Sequence, residues 1–254
     1  MLDDAALAAL AELLRAEDLR SLDAARLGEL IEHPLPVIRE HAAFAAGRIG
    51  DLRASEMLVN ALDDSTRSVA AAAAFALGEL GDTSSSVLYA LVRKLGVSWA
   101  ENDVRGVEAV AALGKLGSPG AHAAIRQVLQ RYIGSETETG AGAMPAAPIG
   151  ETGMEALLAI WKFPRSETDA ELVTPHLTSP DDEVRWRATY VFTRVSSPRS
   201  IARLRERLTD EHPLVRALAA RALRATTVDS ARQRPQTVAA LRGALEDPHP
   251  HVPI

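Results

Sequence analysis

The sequence predicts an all-α protein, a right-handed α-solenoid of about six helix pairs with an N-terminal helix and an unpaired C-terminal helix. Three observations predict it: apolar segments that recur along the chain, a helical period within each segment, and a composition rich in alanine and leucine. Of the 254 residues, 47% are hydrophobic but only 4% are aromatic. Because alanine buries little area per side chain, a core of this kind requires closely packed helices.

Each repeat has an anchor, a β-branched residue or methionine that opens an apolar helix. The spacings between successive anchors are 31, 35, 50, 30, 31 and 37 residues, and most of them lie near the period of helical-pair repeats. Within a repeat, apolar residues return at +4, +7, +8 and +11 from the anchor, which is a helical period. The predicted anchors are Ile38, Val69, Val104, Met154, Val184, Val215 and Val252.

The first two repeats align without a gap, "IREHAAFAAGRIGD" at 38–51 and "VAAAAAFALGELGD" at 69–82. Gly50 and Gly81 stand where a helix commonly ends on a left-handed residue, so they are predicted helix stops. An amphipathic segment precedes each anchor helix, which makes the unit helix, turn, helix. We expect residues 1–254 to form a single solenoid, with repeats at about 20–51, 52–82, 83–118, 119–165, 166–197, 198–228 and an incomplete 229–254.

The spacing of 50 is explained by "GSETETGAGAMPAAPIG" at 134–150, a segment rich in Gly, Ala, Pro, Ser and Thr that is predicted to be a loop. Loops of this length inside compact arrays are uncommon and often functional. A strap over a groove and a tolerated insertion are both open interpretations.

The sequence ends with "HPHVPI". This resembles the motif that precedes earlier anchor helices, such as "HPLV" at 212–215. This predicts an array cut from a longer protein. Its last helix would then expose an apolar side, with self-association as a possible consequence.

This pattern resembles the HEAT repeat family, in particular the short bacterial repeats of the phycobilisome-lyase type, over residues 20–254. Val-Arg pairs at 104–105, 184–185 and 215–216, the variant Ile38-Arg39 and the "ALGxLGD"-type tails carry the resemblance. The resemblance implies that second helices line a concave face. It also implies a structural ladder in which each arginine pairs with an acidic residue of an adjacent turn; these arginines are Arg39, Arg105, Arg185 and Arg216.

Positions +2, +6 and +9 of a second helix point away from its anchor, since each residue turns by about 100°. They supply a candidate concave binding surface rich in aromatic side chains, to which arginines of the same C-terminal region are added. Aromatic side chains and arginine are typical of interface hot spots. Sideways packing of the same side chains between helices is the alternative. The candidates are Phe44, Phe75, Ile160, Trp186, Tyr190, Arg194, Arg221 and Arg224.

Composition excludes several classes of function. Cysteine is absent, so disulfides, thiolate metal sites and a cysteine nucleophile are excluded. The seven histidines are dispersed, and no phosphate-binding loop, nucleophile elbow or His-Glu-x-x-His motif is present. We therefore expect no catalytic residue, metal or cofactor in this segment. No apolar run could span a membrane, and no export signal is recognisable, which favours the cytoplasm unless a leader was removed.

The favoured hypothesis is a non-catalytic scaffold that binds a protein or peptide. One alternative is the client-binding array of a larger enzyme, such as a cyclophilin-type peptidyl-prolyl isomerase, to which arrays of similar style can be fused. Another is nucleic-acid binding, because residues 183–242 carry 13 Arg and five acidic residues in a chain of net charge −6. Lysine is nearly absent and the rest of the chain, outside residues 183–242, is acidic; both observations argue against nucleic-acid binding.

Overall fold

A computed structural model describes residues 2–97, 103–132, 149–164, 166–225 and 233–252. These residues form α-helices and short 3-10 helices without any strand, so the all-α prediction is confirmed for this part of the chain. Within the same residues, no helix is both long and apolar enough to cross a membrane. The predicted loop 134–150 lies outside the described residues, apart from 149 and 150.

The described chain contains one leading helix, six helix pairs and one further helix. The leading helix is α1 (Asp4–Leu19) and the last is α14 (Gln233–Ala244). The first helices of the pairs are α2 (Ala24–Ile31), α4 (Ser55–Ala61), α6 (Ser85–Val97), α8 (Pro119–Gln130), α10 (Glu167–Val173) and α12 (Ile201–Glu206). The second helices are α3 (Pro36–Ile49), α5 (Arg67–Leu80), α7 (Val104–Leu116), α9 (Glu151–Ile160), α11 (Asp182–Phe192) and α13 (Pro213–Ala225).

The helices group into two compact units. Unit 1 comprises residues 1–125 and 150–155, and unit 2 comprises residues 126–149 and 156–254. In unit 1, α1, α3, α5 and α7 pack successively against one another. In unit 2, α11 packs against α13, and α12 lies against both α13 and α14.

Glycine ends three of the second helices. Gly50, Gly81 and Gly117 have φ angles of 80°, 69° and 63°, in the left-handed region that a side chain disfavours. The predicted stops at Gly50 and Gly81 are therefore confirmed. At the other end, Asp103 and Asp181 cap α7 and α11 by accepting hydrogen bonds from backbone N–H groups two residues on.

The second helices bury offsets 0, +4, +5, +7, +8 and +11 from the anchor, one position more than the sequence suggested. In α11 and just beyond it these are Val184, Ala188, Thr189, Val191, Phe192 and Val195. Applied to α7 and α9, this pattern corrects two anchors. Val104 is 47% exposed and the third anchor is Arg105, whereas the fourth anchor is the buried Thr152 rather than Met154.

Small residues bring neighbouring second helices of unit 1 close together. A β-carbon placed on Gly47 would lie 2.7 Å from the Cα of Ala76, and one on Gly78 would lie 2.8 Å from the Cα of Ala112. These distances are shorter than van der Waals contact, so only glycine fits at either position. This close approach explains how a core with few aromatic side chains is filled.

Three of the four predicted ladder arginines bridge consecutive repeats. Arg39 donates to both carboxylate oxygens of Asp64, from Nε at 2.7 Å and Nη2 at 2.9 Å. Its Nη1 donates to the carbonyl oxygens of His33 and Pro34 in its own turn. The same set of bonds recurs where Arg185 meets Asp210 and where Arg216 meets Asp247.

Arg105 departs from this arrangement. Its guanidinium pairs with Asp103 at the start of its own helix. The corrected register gives the reason, because Arg105 occupies the anchor position and not the position after it. The second repeat has Ala70 where a ladder arginine would stand, so no arginine from α5 can reach Asp103 in the manner of Arg39.

Candidate functional site

Each second helix has an outer face opposite its buried positions. At about 100° per residue, the buried offsets cover one side of the helix, while +2, +6 and +10 cover the other. Offset +9 lies at the edge between the two sides: it holds a buried glycine in α3, α5 and α7, but the partly exposed Trp161 after α9 and the exposed Arg224 in α13. Aromatic side chains and cations occupy the outer offsets in both units.

In unit 1, Phe44 and Phe75 stand at +6 of α3 and α5. Their ring centroids are 5.4 Å apart in an edge-to-face arrangement, which is a favourable geometry for aromatic pairs. The Arg48 guanidinium lies 5.8 Å from the Phe44 centroid, and the Lys115 ammonium lies 4.3 Å from the Phe75 centroid. Arg48 and Lys115 both stand at +10 of their own helices.

Both of these unit 1 cations already have carboxylate partners. Arg48 Nη1 lies 2.6 Å from Glu17 Oε2 on α1, and Lys115 pairs with Glu79 on α5. The two cations that lie over aromatic rings in unit 1 are therefore balanced by carboxylates of the same unit.

In unit 2, Tyr190 at +6 of α11 contacts Trp161, which follows α9. Their ring centroids are 6.2 Å apart, again edge to face. The Arg194 guanidinium lies 5.2 Å from the Trp161 centroid and 5.9 Å from the Tyr190 centroid. Trp161 is not among the candidates predicted from the sequence, because counting from Met154 assigns it to the core. Counting from Thr152 places it at offset +9, at the edge of the outer face, where it is partly exposed.

Arg194 is exposed, and no carboxylate among the described residues pairs with it. Arg221 and Arg224, at +6 and +9 of α13, are likewise exposed without an ion pair in that part of the chain. The lack of carboxylate partners for these three arginines among the described residues is the main difference from the outer face of unit 1.

Trp186 lies at +2 of α11, on the same face as Tyr190. Its indole Nε1 donates to Glu183 Oε2 at 2.9 Å, and the Arg187 guanidinium lies 4.3 Å from its ring centroid. Arg187 also pairs with Glu183, and this contact is the main cause that lowers the pKa of the Glu183 carboxyl. Arg187 thus contacts the indole of Trp186, but its charge is already balanced by Glu183.

Ile160 does not belong to the candidate surface. Only 1% of this residue is exposed, because the corrected register places it at the buried offset +8 rather than at +6. The outer offset +6 of α9 is occupied by Leu158, which is half-buried. The remaining seven candidates are at least partly exposed.

The last helix of unit 2 borders an open apolar groove. Val238 is 44% exposed and Leu245 is 60% exposed. The groove is lined by Ala220, Arg224, Val238, Leu241, Arg242, Ala244, Leu245 and Val252. Self-association through this end stays a prediction.

Metal-ligating side chains do not converge in the part of the chain that the structure describes, where no group of three or more His, Asp or Glu residues could hold an ion. The described histidines include a buried one, His176, whose pKa is lowered because burial disfavours the charged imidazolium.

Comparison with protein families identifies the repeat. A model described as HEAT repeats matches residues 24–105 and 170–253, which together make up more than half of the chain. The chain belongs to the HEAT repeat family. The matched ranges include three arginine–aspartate bridges, those from Arg39, Arg185 and Arg216.

Solved structures with this HEAT repeat fold include the Escherichia coli protein YibA, with a TM-score of 0.61 at 17% identity, covering 93% of this chain and 80% of that chain. An engineered protein gives a TM-score of 0.55 at 19% identity, covering 96% and 71% of the respective chains. The complex of CpcE and CpcF of phycocyanin lyase from Nostoc sp. PCC7120 gives 0.48 at 19% identity, covering 96% and 91%. At such identities the similarity concerns the fold alone. No curated protein sequence matches the chain significantly.

Proposed function

We propose that this HEAT repeat protein is a non-catalytic module that binds a protein or peptide through the outer face of unit 2. We refer to Trp161, Trp186, Tyr190 and Arg194 as the arginine–aromatic surface. The observation that carries the proposal is that three aromatic rings stay partly exposed on this face, together with an arginine. Tryptophan, tyrosine and arginine are the residues that most often dominate binding energy at protein interfaces.

The mechanism is recognition by a surface that is formed before the partner arrives. The edge-to-face contact of Trp161 with Tyr190 restricts both rings, and Arg194 lies over them. Because these side chains are held by one another, binding a partner orders few additional rotamers. The surface therefore loses less conformational entropy on binding than one made of flexible side chains would.

A test begins with short random peptides displayed as a library and selected on the full chain. Peptides that bind should lose at least about tenfold in affinity when Trp161→Ala or Trp186→Ala is introduced, as expected for hot-spot residues. Phe44→Ala is the matched control, since Phe44 forms the corresponding aromatic pair in unit 1. A denaturation midpoint measured for each variant separates lost binding from lost folding.

Two results would contradict the proposal. One is that no peptide is enriched; the other is that the enriched peptides bind the Trp161→Ala and Trp186→Ala variants as tightly as the parent chain.

A further inference from the structure

The positive charge on the outer face of unit 2 is unbalanced, in contrast to unit 1. Arg48, Lys115 and Arg194 all stand at offset +10 of a second helix, and all three lie over aromatic rings. The two in unit 1 pair with Glu17 and Glu79. Arg194 has no carboxylate partner among the described residues, although the chain as a whole is acidic with a net charge of −6.

A guanidinium held over aromatic rings is well suited to receive a carboxylate. Its N–H donors lie in one plane and match the two oxygens of a carboxylate in a bidentate pair. Contact with Trp161 and Tyr190 limits the rotamers of Arg194, so less entropy is lost when such a pair forms. Arg187 is excluded from this role, because Glu183 already neutralises it.

Arg221 and Arg224 extend the unbalanced charge to the neighbouring helix. They stand on the outer side of α13, which packs directly against α11. We propose that the occupant of the arginine–aromatic surface is an acidic peptide segment, whose carboxylates pair with Arg194 and with Arg221 or Arg224. This inference rests on the proposed function, and it adds the chemistry of the partner.

Helix spacing predicts how the acidic residues are arranged. Packed helices lie roughly 8–10 Å apart, and an extended peptide advances about 3.3 Å per residue. Because only every second side chain of an extended peptide faces the surface, a segment crossing from α11 to α13 would place acidic residues two or four positions apart. Apolar side chains of the segment on the other side of the Arg194 partner, towards α9, would meet Trp161 and Tyr190.

A peptide fits these observations better than a nucleic acid. A nucleic-acid groove requires a run of cations along the backbone and aromatic faces that are free for base stacking. Here the faces of Trp161 and Trp186 carry Arg194 and Arg187. The net charge of −6 also repels a long polyanion more than it repels a peptide with two or three carboxylates.

The test uses the peptides selected on the full chain. We expect them to be acidic and to lose about tenfold or more in affinity when their Asp and Glu are replaced by Asn and Gln. Arg194→Ala should cause a similar loss, Arg194→Lys a smaller one because the charge remains without the bidentate fork, and Arg48→Ala no loss. Binding should also weaken with added salt.

Each alternative outcome overturns the inference in a recognisable way. Neutral or basic peptides that require Trp161 but not Arg194 would refute the acidic partner and leave the proposed function standing. Peptides that require none of Trp161, Trp186 and Arg194 would refute both. An oligothymidine probe that binds more tightly than any selected peptide, and does so through Arg194, would identify nucleic acid as the occupant instead. Far-ultraviolet circular dichroism of Arg194→Ala verifies that the variant is folded.

Discussion

Arg185 and Asp210 join two consecutive repeats through a bidentate pair, with Nε and Nη2 of the arginine 2.9 and 3.0 Å from the two carboxylate oxygens. The Asp210 side chain is only 3% exposed and that of Arg185 is 11% exposed. Arg216 then donates to the backbone carbonyl of Asp210 and, through its own bidentate pair, to Asp247. A chain of two ion pairs joined by a backbone hydrogen bond therefore runs from α11 to the turn that follows α14.

Asp210→Ala should destabilise the protein by about 3 kcal/mol, because it leaves the buried Arg185 without its counter-charge. Asp51→Ala is a matched control. Both aspartates accept a hydrogen bond from the backbone N–H two residues on, but the Arg53 partner of Asp51 is 73% exposed. Urea denaturation should show a clearly smaller loss for Asp51→Ala. Equal losses would mean that the buried bridge contributes nothing beyond the cap.

Gly47→Ala should destabilise unit 1 by about 1–3 kcal/mol, because the new β-carbon would lie 2.7 Å from the Cα of Ala76 and force the two helices apart. Gly243→Ala is the control within α14, where no atom lies within 4 Å of the added carbon. That change should stabilise the protein by about 0.5–1 kcal/mol through helix propensity. Thermal denaturation of both variants measures the difference, and a stable Gly47→Ala variant would refute the close approach.

Trp186→Ala should reduce stability by less than about 1 kcal/mol, because the indole lies on the outer face and interacts with Glu183 and Arg187. Phe192→Ala, on the buried side of the same α11 segment and 2% exposed, should cost about 3–5 kcal/mol. Chemical denaturation compares the two. A large loss for Trp186→Ala would mean that the ring packs between helices instead of serving a partner.

Acid should weaken the bridge between Arg39 and Asp64. The hydrogen bonds from Arg39 lower the pKa of the Asp64 carboxyl below its usual value, although partial burial opposes them. The stabilisation is therefore present above the ordinary aspartate pKa of about 4 and is lost as pH falls through the lowered pKa. We expect the stability difference between the parent chain and Asp64→Asn to shrink below about pH 4. A difference that stays constant down to pH 2 would contradict this.

His176 should make stability depend on pH in a higher range. Burial lowers the pKa of its imidazole, so the unfolded chain binds a proton more readily than the folded chain. Stability should therefore fall as pH drops below the ordinary histidine pKa of about 6.5. His176→Leu removes the titrating imidazole. We therefore expect the free energy of unfolding of this variant, measured by urea denaturation, to vary less between pH 7 and pH 5 than that of the parent chain. An unchanged slope would show that His176 is not the responsible group.

Repetition in the sequence was sufficient to predict the all-α fold and the glycine helix stops. The arginine ladder was implied by the resemblance to HEAT repeats; Arg39, Arg185 and Arg216 bridge consecutive repeats, whereas Arg105 pairs with Asp103 at the start of its own helix.

Two anchors, those of α7 and α9, were misplaced because they were assigned from the start of the helix and not from its end. The anchor Ile38 of α3 and the terminal Gly50 are separated by the same number of residues as Arg105 and Gly117 of α7. Counting back from Gly117 would therefore have identified Arg105 as the anchor. The fourth repeat has no such glycine, and only the observed burial of Thr152 and Ile160 sets its register.

The sequence by itself determined which side of α3, α5, α11 and α13 is apolar, because a helical period assigns every residue to a face once the anchor is known. It could not determine which outer-face charges are balanced. Glu17 neutralises Arg48 from 31 residues away, whereas Arg194 stands at the same offset without a described carboxylate partner. Such pairing depends on the distance between side chains of different helices, and only tertiary packing fixes that distance.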